Sequence, residues 1–265
     1  MLTELGLYRL WDESPERTWA FARHWMPVLV RALAPSYGYG LERLPARGGC
    51  VLAVNHLSAI DPPLVGAYSR RTIYYMAKIE LLEIPVAGEI LRWMGTFAVR
   101  RGEGDRDALR VARWLVAHGH VVGMFVEGTR QRLGHPGPAH VGAAMVAMQE
   151  QVPLVPCGLD TFRWSLGRRR PCACVFGHPL DLSSLPRNGR GYKEATAIVE
   201  REILRLWRMA AQAVADGFPS RLPDGAARAK SVPGGHDFPV LDTPAWPSEP
   251  WAAGPLGPVF PGRAR

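Results

Sequence analysis

A histidine and an aspartate in the first quarter of the chain have the residue types of an acid–base pair. His56 and Asp61 lie five positions apart, just after the apolar run at residues 50–54. Five helical steps rotate the second side chain off the face of the first, and five strand steps place it on the opposite face, so a turn must join them. A carboxylate that accepts one imidazole N–H leaves the other nitrogen free to take a proton from a hydroxyl.

The residues after His56 supply a suitable turn. The Asp-Pro-Pro sequence at 61–63 is typical of a helix start, with the aspartate near the N-cap and proline in the first turn. The loop between a buried strand and this helix can then fold His56 back towards Asp61. Taken singly, an N-cap aspartate and a histidine at a strand end have structural explanations, so the interpretation of the pair depends on its neighbours.

Two further segments have groups suited to a phosphate. Arg100 and Arg101 precede a glycine-containing turn, and guanidinium groups hold phosphate oxygens by two-point contacts. Residues 127–130, Glu-Gly-Thr-Arg, follow an apolar run, where a glycine lets backbone N–H groups face a ligand and Arg130 adds a cation. Each segment in isolation is also compatible with an ordinary solvated loop.

The alternation of short apolar runs with helical patterns predicts an α/β fold, with a mostly parallel central sheet flanked by helices. Strands are predicted at residues 50–54, 72–76, 120–126, 152–156 and 172–176, and helices at 105–118, 139–149 and 192–213. An aromatic amphipathic helix at 17–34, kinked or split by Pro27, precedes them. It either packs on the domain or lies in a membrane interface.

Composition limits the classes of partner. The net charge of +8 is compatible with nucleic acid, anionic lipid or a phosphorylated substrate, and the sequence has no zinc-finger spacing or aromatic-interleaved RNA motif. The basic stretch at 163–170 is interpreted either as a solvated loop or as a contact for anionic head groups or the phosphates of another ligand. The four cysteines lack zinc-site spacing, and reduced buried thiols are expected.

Location and domain limits follow from the apolar pattern. Charged residues interrupt every apolar run before the roughly 18 residues that a spanning helix needs, and the N-terminus lacks a signal-peptide pattern. A cytoplasmic protein without a transmembrane helix is therefore expected. Ten of the 24 prolines fall in the last 49 residues, so residues 217–265 are predicted to be a disordered tail, after an N-terminal segment at 1–40 and a main domain at 41–216.

In combination, these segments resemble the lysophosphatidic acid acyltransferase family, which is marked by an Asn-His-x-x-x-x-Asp motif. The resemblance covers about residues 40–215. Asn55, His56 and Asp61 match the first motif, residues 95–105 the second, 125–130 the third and 152–156 the fourth. Motifs in this order and at compatible separations form a specific signal, whereas any one alone is weak.

The resemblance implies a glycerol-phosphate acyltransferase-like fold in which His56 deprotonates an acceptor hydroxyl and Asp61 orients His56. The hydroxyl would attack the thioester of acyl-CoA or acyl carrier protein directly, with no metal and no cofactor. The residues that it places on the substrate are Asn55, Arg101, Glu127, Gly128, Thr129 and Arg130. The acceptor that it favours is a lysophospholipid, 1-acylglycerol 3-phosphate, which would give phosphatidic acid at the anionic inner face of the membrane, with no nucleic acid as partner.

The chain departs from the family pattern beside the predicted substrate site. Val126 and Gln131 stand where the third motif usually has proline and often serine, and Arg100 stands where the second usually has an acidic residue. No predicted catalytic group is lost, but Arg100 alters the charge near the acceptor. Two alternatives therefore stay open: the same chemistry on glycerol 3-phosphate, another lysolipid or a lipid alcohol, and a non-catalytic lipid-binding protein on this fold.

Overall fold

Seven strands form one sheet in the computed structural model, which describes residues 15–69, 71–85, 88, 91, 96–99 and 106–229. The strands are β1 (Ser36–Tyr39), β2 (Cys50–Val54), β3 (Ile73–Lys78), β4 (Phe97–Val99), β5 (Val121–Phe125), β6 (Leu154–Asp160) and β7 (Cys172–Phe176). Their order across the sheet is β1-β7-β6-β2-β5-β3-β4, and every neighbouring pair is parallel except β6 and β7. The predicted mostly parallel sheet is confirmed.

Helices cover both faces of this sheet. They are α1 (Pro15–Leu33), α2 (Asp61–Tyr68), α3 (Ile79–Leu82), α4 (Arg106–Ala117), α5 (Gly142–Glu150) and α6 (Gly189–Ala215), with a 3₁₀ turn at Leu41–Arg43. Buried side chains of α1 and α2 pack on one face, and those of α4, α5 and α6 pack on the other. The predicted flanking of the sheet by helices on its faces is thus also confirmed.

Strand β2 lies at the centre of the sheet because both of its faces are apolar. All five of its residues are 0% exposed; Leu52 and Val54 pack in the α1 and α2 layer, and Val51 and Ala53 in the opposite layer. Continuous apolar runs of this kind are typical of parallel strands buried on both sides. Since β2 pairs with both β5 and β6, the residues that follow β2 lie between the ends of those two strands.

We call the side of the sheet where β2, β3, β5 and β6 end the carboxyl edge. These strands are mutually parallel, so the loops that follow them all emerge at this edge. In open α/β sheets, ligands bind in the crevice beyond the carboxyl ends of the strands. Here the loops at residues 55–60, 126–141 and 161–171 occupy that position.

Helix α1 is continuous through Pro27, so it is not divided in two. Ala22, Met26 and Val30 form its buried stripe and pack against the sheet layer. Trp25, Val28 and Leu29 are exposed, with Val28 at 66%. Packing on the domain therefore accounts for one face of the helix and leaves an apolar strip on the other.

The predicted domain limits need correction at both ends. Strand β1, within the predicted N-terminal segment 1–40, belongs to the sheet because it pairs with β7. The predicted tail also starts too early, because Leu222 and Ala226 are buried and the N–H of Ala229 donates to the carbonyl of Gly38 at 2.9 Å. Residues 217–229 thus complete the domain by pairing beside β1, and residues 230–265 lie outside the described residues.

The four cysteines are free and buried, as expected. Burial raises the pKa of the Cys50 thiol to about 12, which keeps it protonated and unreactive at neutral pH. In the part of the chain that the structure describes, no helix combines the length and the apolar character needed to cross a bilayer.

Arg71 closes the opposite, amino-terminal side of the sheet. Its side chain is 1% exposed, and its guanidinium donates to the carbonyls of Pro45 at 3.1 Å, Gly48 at 2.7 Å and Gly119 at 2.6 Å. These carbonyls belong to the segments that lead into β2 and β5, while Arg71 itself leads into β3. One buried cation therefore fixes the starts of three adjacent strands.

We predict that Arg71→Met lowers the free energy of unfolding by about 2–4 kcal/mol, because three carbonyls lose a charged donor in a buried setting. Urea unfolding followed by circular dichroism measures the change. The matched control is Arg47→Met, an exposed arginine in the segment that leads into β2, for which a change within about 0.5 kcal/mol is expected. Equal destabilisation by the two substitutions would contradict the role assigned to Arg71.

Candidate active site

His56 and Asp61 meet at the carboxyl edge. The Nδ1 atom of His56 lies 2.7 Å from Oδ2 of Asp61, with the imidazole 18% exposed and the carboxylate 0% exposed. Ile60 is the N-cap of α2 and Asp61 its first residue, so the carboxylate can turn back into the loop that carries His56. The structure thus provides the turn that the five-residue spacing requires.

The Asp61 carboxylate accepts hydrogen bonds from several other donors. Its Oδ2 accepts the backbone N–H groups of Leu57 at 2.7 Å and Ser58 at 2.8 Å. Its Oδ1 accepts the hydroxyl of Ser58 at 3.1 Å and the hydroxyl of Thr161. A buried carboxylate is stable only when its oxygens are hydrogen-bonded, and these donors meet that requirement.

The imidazole of His56 is held on its face as well as at Nδ1. It stacks on Phe125 with ring centroids 4.2 Å apart, and Phe125 in turn stacks on Tyr75 at 5.7 Å. The backbone carbonyl of His56 accepts the N–H of Gln131 at 2.8 Å. With Nδ1–H directed at Asp61, Nε2 is the ring nitrogen that can accept a proton from a substrate.

The predicted phosphate-binding loop, residues 127–130, follows β5 beside His56. Gly128 adopts a φ of +64°, a left-handed conformation that glycine takes without strain, and its N–H donates to the carbonyl of Phe125 at 3.0 Å. This N–H therefore closes the turn. Thr129 and Arg130 are exposed, so the guanidinium of Arg130 is accessible to a charged ligand.

Glu127, in contrast, is 4% exposed. Its Oε1 accepts the N–H of Gly137 at 3.4 Å. Burial is the main cause that raises the pKa of this carboxyl to about 7; the charge of Asp61 raises it further, and the backbone N–H groups of His56 and Gly137 oppose the rise. Glu127 is thus a buried group beside the backbone of His56.

Asn55 was predicted to bind substrate, but its side chain is buried and is used within the sheet. The Asn55 side chain is 0% exposed; its amide donates to the carbonyl of Leu159 at 3.1 Å and accepts the N–H of Leu159 at 2.7 Å. Both ends of the amide are used to join the end of β2 to β6, which corrects its expected role to a positional one. Arg101 lies outside the described residues.

Thr161 contacts Asp61 and Phe125 contacts His56, and neither was identified from the sequence. Thr161 follows the last residue of β6 and lies 100 positions from Asp61. Phe125 was recognised only as part of a motif, and its stacking on His56 depends on the pairing of β2 with β5. In the strand order, β5 and β6 lie on either side of β2, so their ends flank His56. Knowledge of that order would have identified both residues.

The arrangement can perform general base catalysis at a partly open position. A neutral imidazole, fixed by a buried carboxylate, accepts a proton through Nε2, and the carboxylate stabilises the imidazolium that results. Among the described residues, no group of three or more His, Cys, Asp or Glu side chains is arranged to hold a metal ion.

We predict that Glu127→Gln removes a pH dependence of stability. Because the folded-state pKa of Glu127 is about 7 against an ordinary value of 4.5, the folded protein binds this proton more tightly than the unfolded chain. The stability that Glu127 contributes is therefore present below pH 4.5 and declines as the pH rises to 7, by roughly 2–3 kcal/mol. Urea unfolding at pH 5 and pH 8 measures the change. Between these two pH values, the free energy of unfolding of the glutamine variant should rise relative to that of wild type by that amount.

The control for this measurement is Glu42→Gln, which removes an exposed glutamate. It should follow the wild-type pH dependence. A glutamine variant of Glu127 that loses stability in parallel with wild type between pH 5 and pH 8 would show that this carboxyl does not titrate in that range.

Comparisons with known proteins identify the family. The family model described as Acyltransferase matches residues 37–160, which include His56, Asp61 and Asp160. The 1-acyl-sn-glycerol-3-phosphate acyltransferase of Bacillus subtilis is 30% identical over 158 residues, covering 57% of this chain and 78% of that protein. The human 1-acyl-sn-glycerol-3-phosphate acyltransferase beta is 30% identical over 141 residues, covering 50% of this chain. The chain spans about half (51%) of the human protein's length.

A solved structure is similar in fold. The crystal structure of the 1-acyl-sn-glycerophosphate (LPA) acyltransferase PlsC from Thermotoga maritima has a TM-score of 0.60, covers 77% of this chain and 87% of its own, and is 22% identical. The family model spans His56, Asp61 and strands β2 to β6, and the Bacillus relative is matched over 78% of its length. This chain is a member of the lysophosphatidic acid acyltransferase family.

Proposed function

We propose that this protein transfers a fatty acyl group from a thioester donor to the free hydroxyl of 1-acylglycerol 3-phosphate, which gives phosphatidic acid. The observation that carries the proposal is the His56–Asp61 pair, a partly exposed imidazole held by a fully buried carboxylate, in a chain that belongs to an acyltransferase family. A lipid-binding protein without activity would have no need of a base fixed in this way.

The reaction needs one proton acceptor and no covalent enzyme intermediate. Nε2 of His56 takes the proton of the acceptor hydroxyl as its oxygen attacks the thioester carbonyl carbon. The tetrahedral intermediate then collapses, the carbon–sulfur bond breaks, and the imidazolium returns the proton to the departing sulfur. The products are an ester and a free thiol, and His56 is neutral again.

Recognition of the acceptor phosphate is assigned to the loop that follows β5. Arg130 is exposed there and offers a guanidinium for phosphate oxygens, and Arg101 is proposed as a second cation. Gly128 and Thr129 shape the same loop. Below its pKa of about 7, the buried carboxyl of Glu127 is mainly neutral, so it repels the phosphate less than an ordinary glutamate would.

The donor is proposed to be acyl-CoA or acyl carrier protein, since either presents the acyl group as a thioester. The acceptor and the product are membrane lipids, so we propose that the protein acts as a peripheral protein at the inner face of the membrane. The net charge of +8 supports an anionic surface as its site of action.

We predict that the purified protein forms phosphatidic acid from 1-acylglycerol 3-phosphate, and that His56→Ala lowers kcat by about a hundredfold or more, since a general base contributes that much. Product formation with acyl-CoA and with acyl carrier protein donors is measured by mass spectrometry. Glycerol 3-phosphate and other lysolipids serve as competing acceptors.

The matched control is His178→Ala, which removes an exposed histidine and should retain wild-type activity. Preference for a different acceptor would keep the chemistry and overturn the proposed substrate. Wild-type activity in a folded His56→Ala variant would show that the base lies elsewhere.

We also predict that Thr161→Val lowers kcat roughly tenfold while KM stays unchanged, because the hydroxyl acts on Asp61 and not on the substrate. Valine keeps the size and removes the donor. Thr161→Ser restores the hydroxyl and should recover most of the activity. Steady-state kinetics of the two variants separates kcat from KM, and a purely structural role of Thr161 would give the same result for serine as for valine.

A further inference from the structure

A short hairpin projects from the carboxyl edge at residues 163–170, and we call it the arginine hairpin. The N–H of Arg168 donates to the carbonyl of Ser165 at 2.9 Å, which closes a four-residue turn. Gly167, third in that turn, has a φ of +88°, as a type II turn requires. A Cβ atom at Gly167 would meet nothing within 4 Å, so the turn stands clear of the protein.

The tip of this hairpin is apolar. Leu166 is 82% exposed and Leu133, in the loop after β5, is 79% exposed; these are the two most exposed large apolar side chains in the described part of the chain. The two loops touch, because a Cβ atom at Gly134 would lie 3.0 Å from the ring of Phe162. Phe162 is itself 42% exposed, so the apolar side chains on both loops border the same edge.

Cations surround this apolar tip. Arg163, Arg168, Arg169 and Arg170 are exposed, and residues 161–171 contain no acidic side chain. The neighbouring Asp160 is partly buried and interacts with Arg163. A partner that fits this surface must offer both an apolar region for the leucine and anionic groups for the arginines.

The hairpin is also anchored to α1. The indole N–H of Trp164 donates to the carbonyl of Leu33 at 3.2 Å, and Arg169 donates to the carbonyl of Arg31 at 3.4 Å. The exposed apolar strip of α1, formed by Trp25, Val28 and Leu29, lies on the helix to which the hairpin is attached. The arginine hairpin and the apolar strip of α1 are therefore held in a fixed position relative to each other.

We propose that the arginine hairpin docks the protein on an anionic bilayer, with Leu166 inserted at the interface and Arg168, Arg169 and Arg170 on lipid phosphates. This inference rests on the proposed function, since the acceptor there is a membrane lipid. A bilayer fits better than a soluble phosphate ligand, because it alone offers anionic groups above an apolar layer that can bury an exposed leucine.

The position of the hairpin connects docking to catalysis. Thr161, two residues before the hairpin, bonds to the Asp61 carboxylate that holds His56. A membrane that contacts the hairpin therefore lies at the same edge of the sheet as the catalytic base. An acceptor lipid then has only a short way to travel from the bilayer to His56, and its acyl chain can stay in the membrane.

Sedimentation of the full-length protein with vesicles of equal parts phosphatidylglycerol and phosphatidylcholine tests this proposal. Replacing Arg168, Arg169 and Arg170 together by Ser should weaken binding on the order of a hundredfold at low salt, from roughly fivefold for each cation. Leu166→Ser should weaken binding about tenfold, because the inserted side chain is lost. Both losses are expected while the variants stay folded by circular dichroism.

The matched control replaces Arg190, Arg201 and Arg208 of α6 by Ser, which removes the same charge from exposed positions elsewhere. It should bind the vesicles nearly as wild type does. Each variant is also assayed with a short-chain acceptor that is fully dissolved as monomers, and the hairpin variants should retain wild-type rates there. His56→Ala should bind vesicles normally, so a failure of the proposed chemistry does not affect this test.

Several outcomes would overturn the proposal. Unchanged vesicle binding in the triple arginine variant and in Leu166→Ser would exclude the hairpin as the docking element. Loss of activity on the dissolved acceptor through a raised KM for acyl-CoA, with Leu166→Ser binding vesicles normally, would assign the arginines to the donor's phosphates. Binding of a DNA duplex as tight as that of the vesicles would assign them to nucleic acid. If the triple variant fails to fold, Leu166→Ser decides.

Discussion

The Asp61 carboxylate is completely removed from water, and the whole site depends on how its oxygens are satisfied. Donors reach it from two places: the loop after β2, through Leu57 and Ser58, and the end of β6, through Thr161. An unpaired carboxylate in this position would be strongly destabilising, so the pairing of β2 with β6 must be correct before His56 can be held. Asn55 secures that pairing by bonding to both backbone groups of Leu159.

The same arrangement explains why the base is rigid while the groups assigned to substrate are accessible. His56 is fixed at Nδ1 by Asp61 and on its face by Phe125, both of which are set by strands of the central sheet. Thr129 and Arg130 are exposed on the loop beyond β5. A rigid base beside accessible polar groups keeps the proton acceptor in one position while a ligand binds at the loop.

The two edges of the sheet differ in character. At the amino-terminal edge, the guanidinium of Arg71 donates hydrogen bonds to backbone carbonyls within the protein. At the carboxyl edge, Arg168, Arg169 and Arg170 are exposed beside an exposed leucine. One edge therefore uses a buried cation to stabilise the fold, and the other presents exposed cations that are accessible to an anionic partner.

Much of the fold could be predicted from local sequence patterns. The strands at residues 50–54 and 172–176 were predicted with the bounds observed for β2 and β7, because uninterrupted apolar runs between polar segments indicate buried strands. Strand β1 and the pairing of residues 217–229 beside it were missed. Both are short segments of mixed polarity, and they are ordered only by neighbours that lie far along the chain.

The sequence by itself determined that His56 and Asp61 are five residues apart, that only a turn can join them, and that the turn stands between a buried strand and a helix. Only the tertiary structure decided that Thr161 supplies a donor to Asp61, that Asn55 serves the sheet and that Glu127 is buried. The physical reason is that spacing constrains neighbours along the chain. Burial and hydrogen-bond satisfaction, in contrast, depend on which distant strands lie side by side.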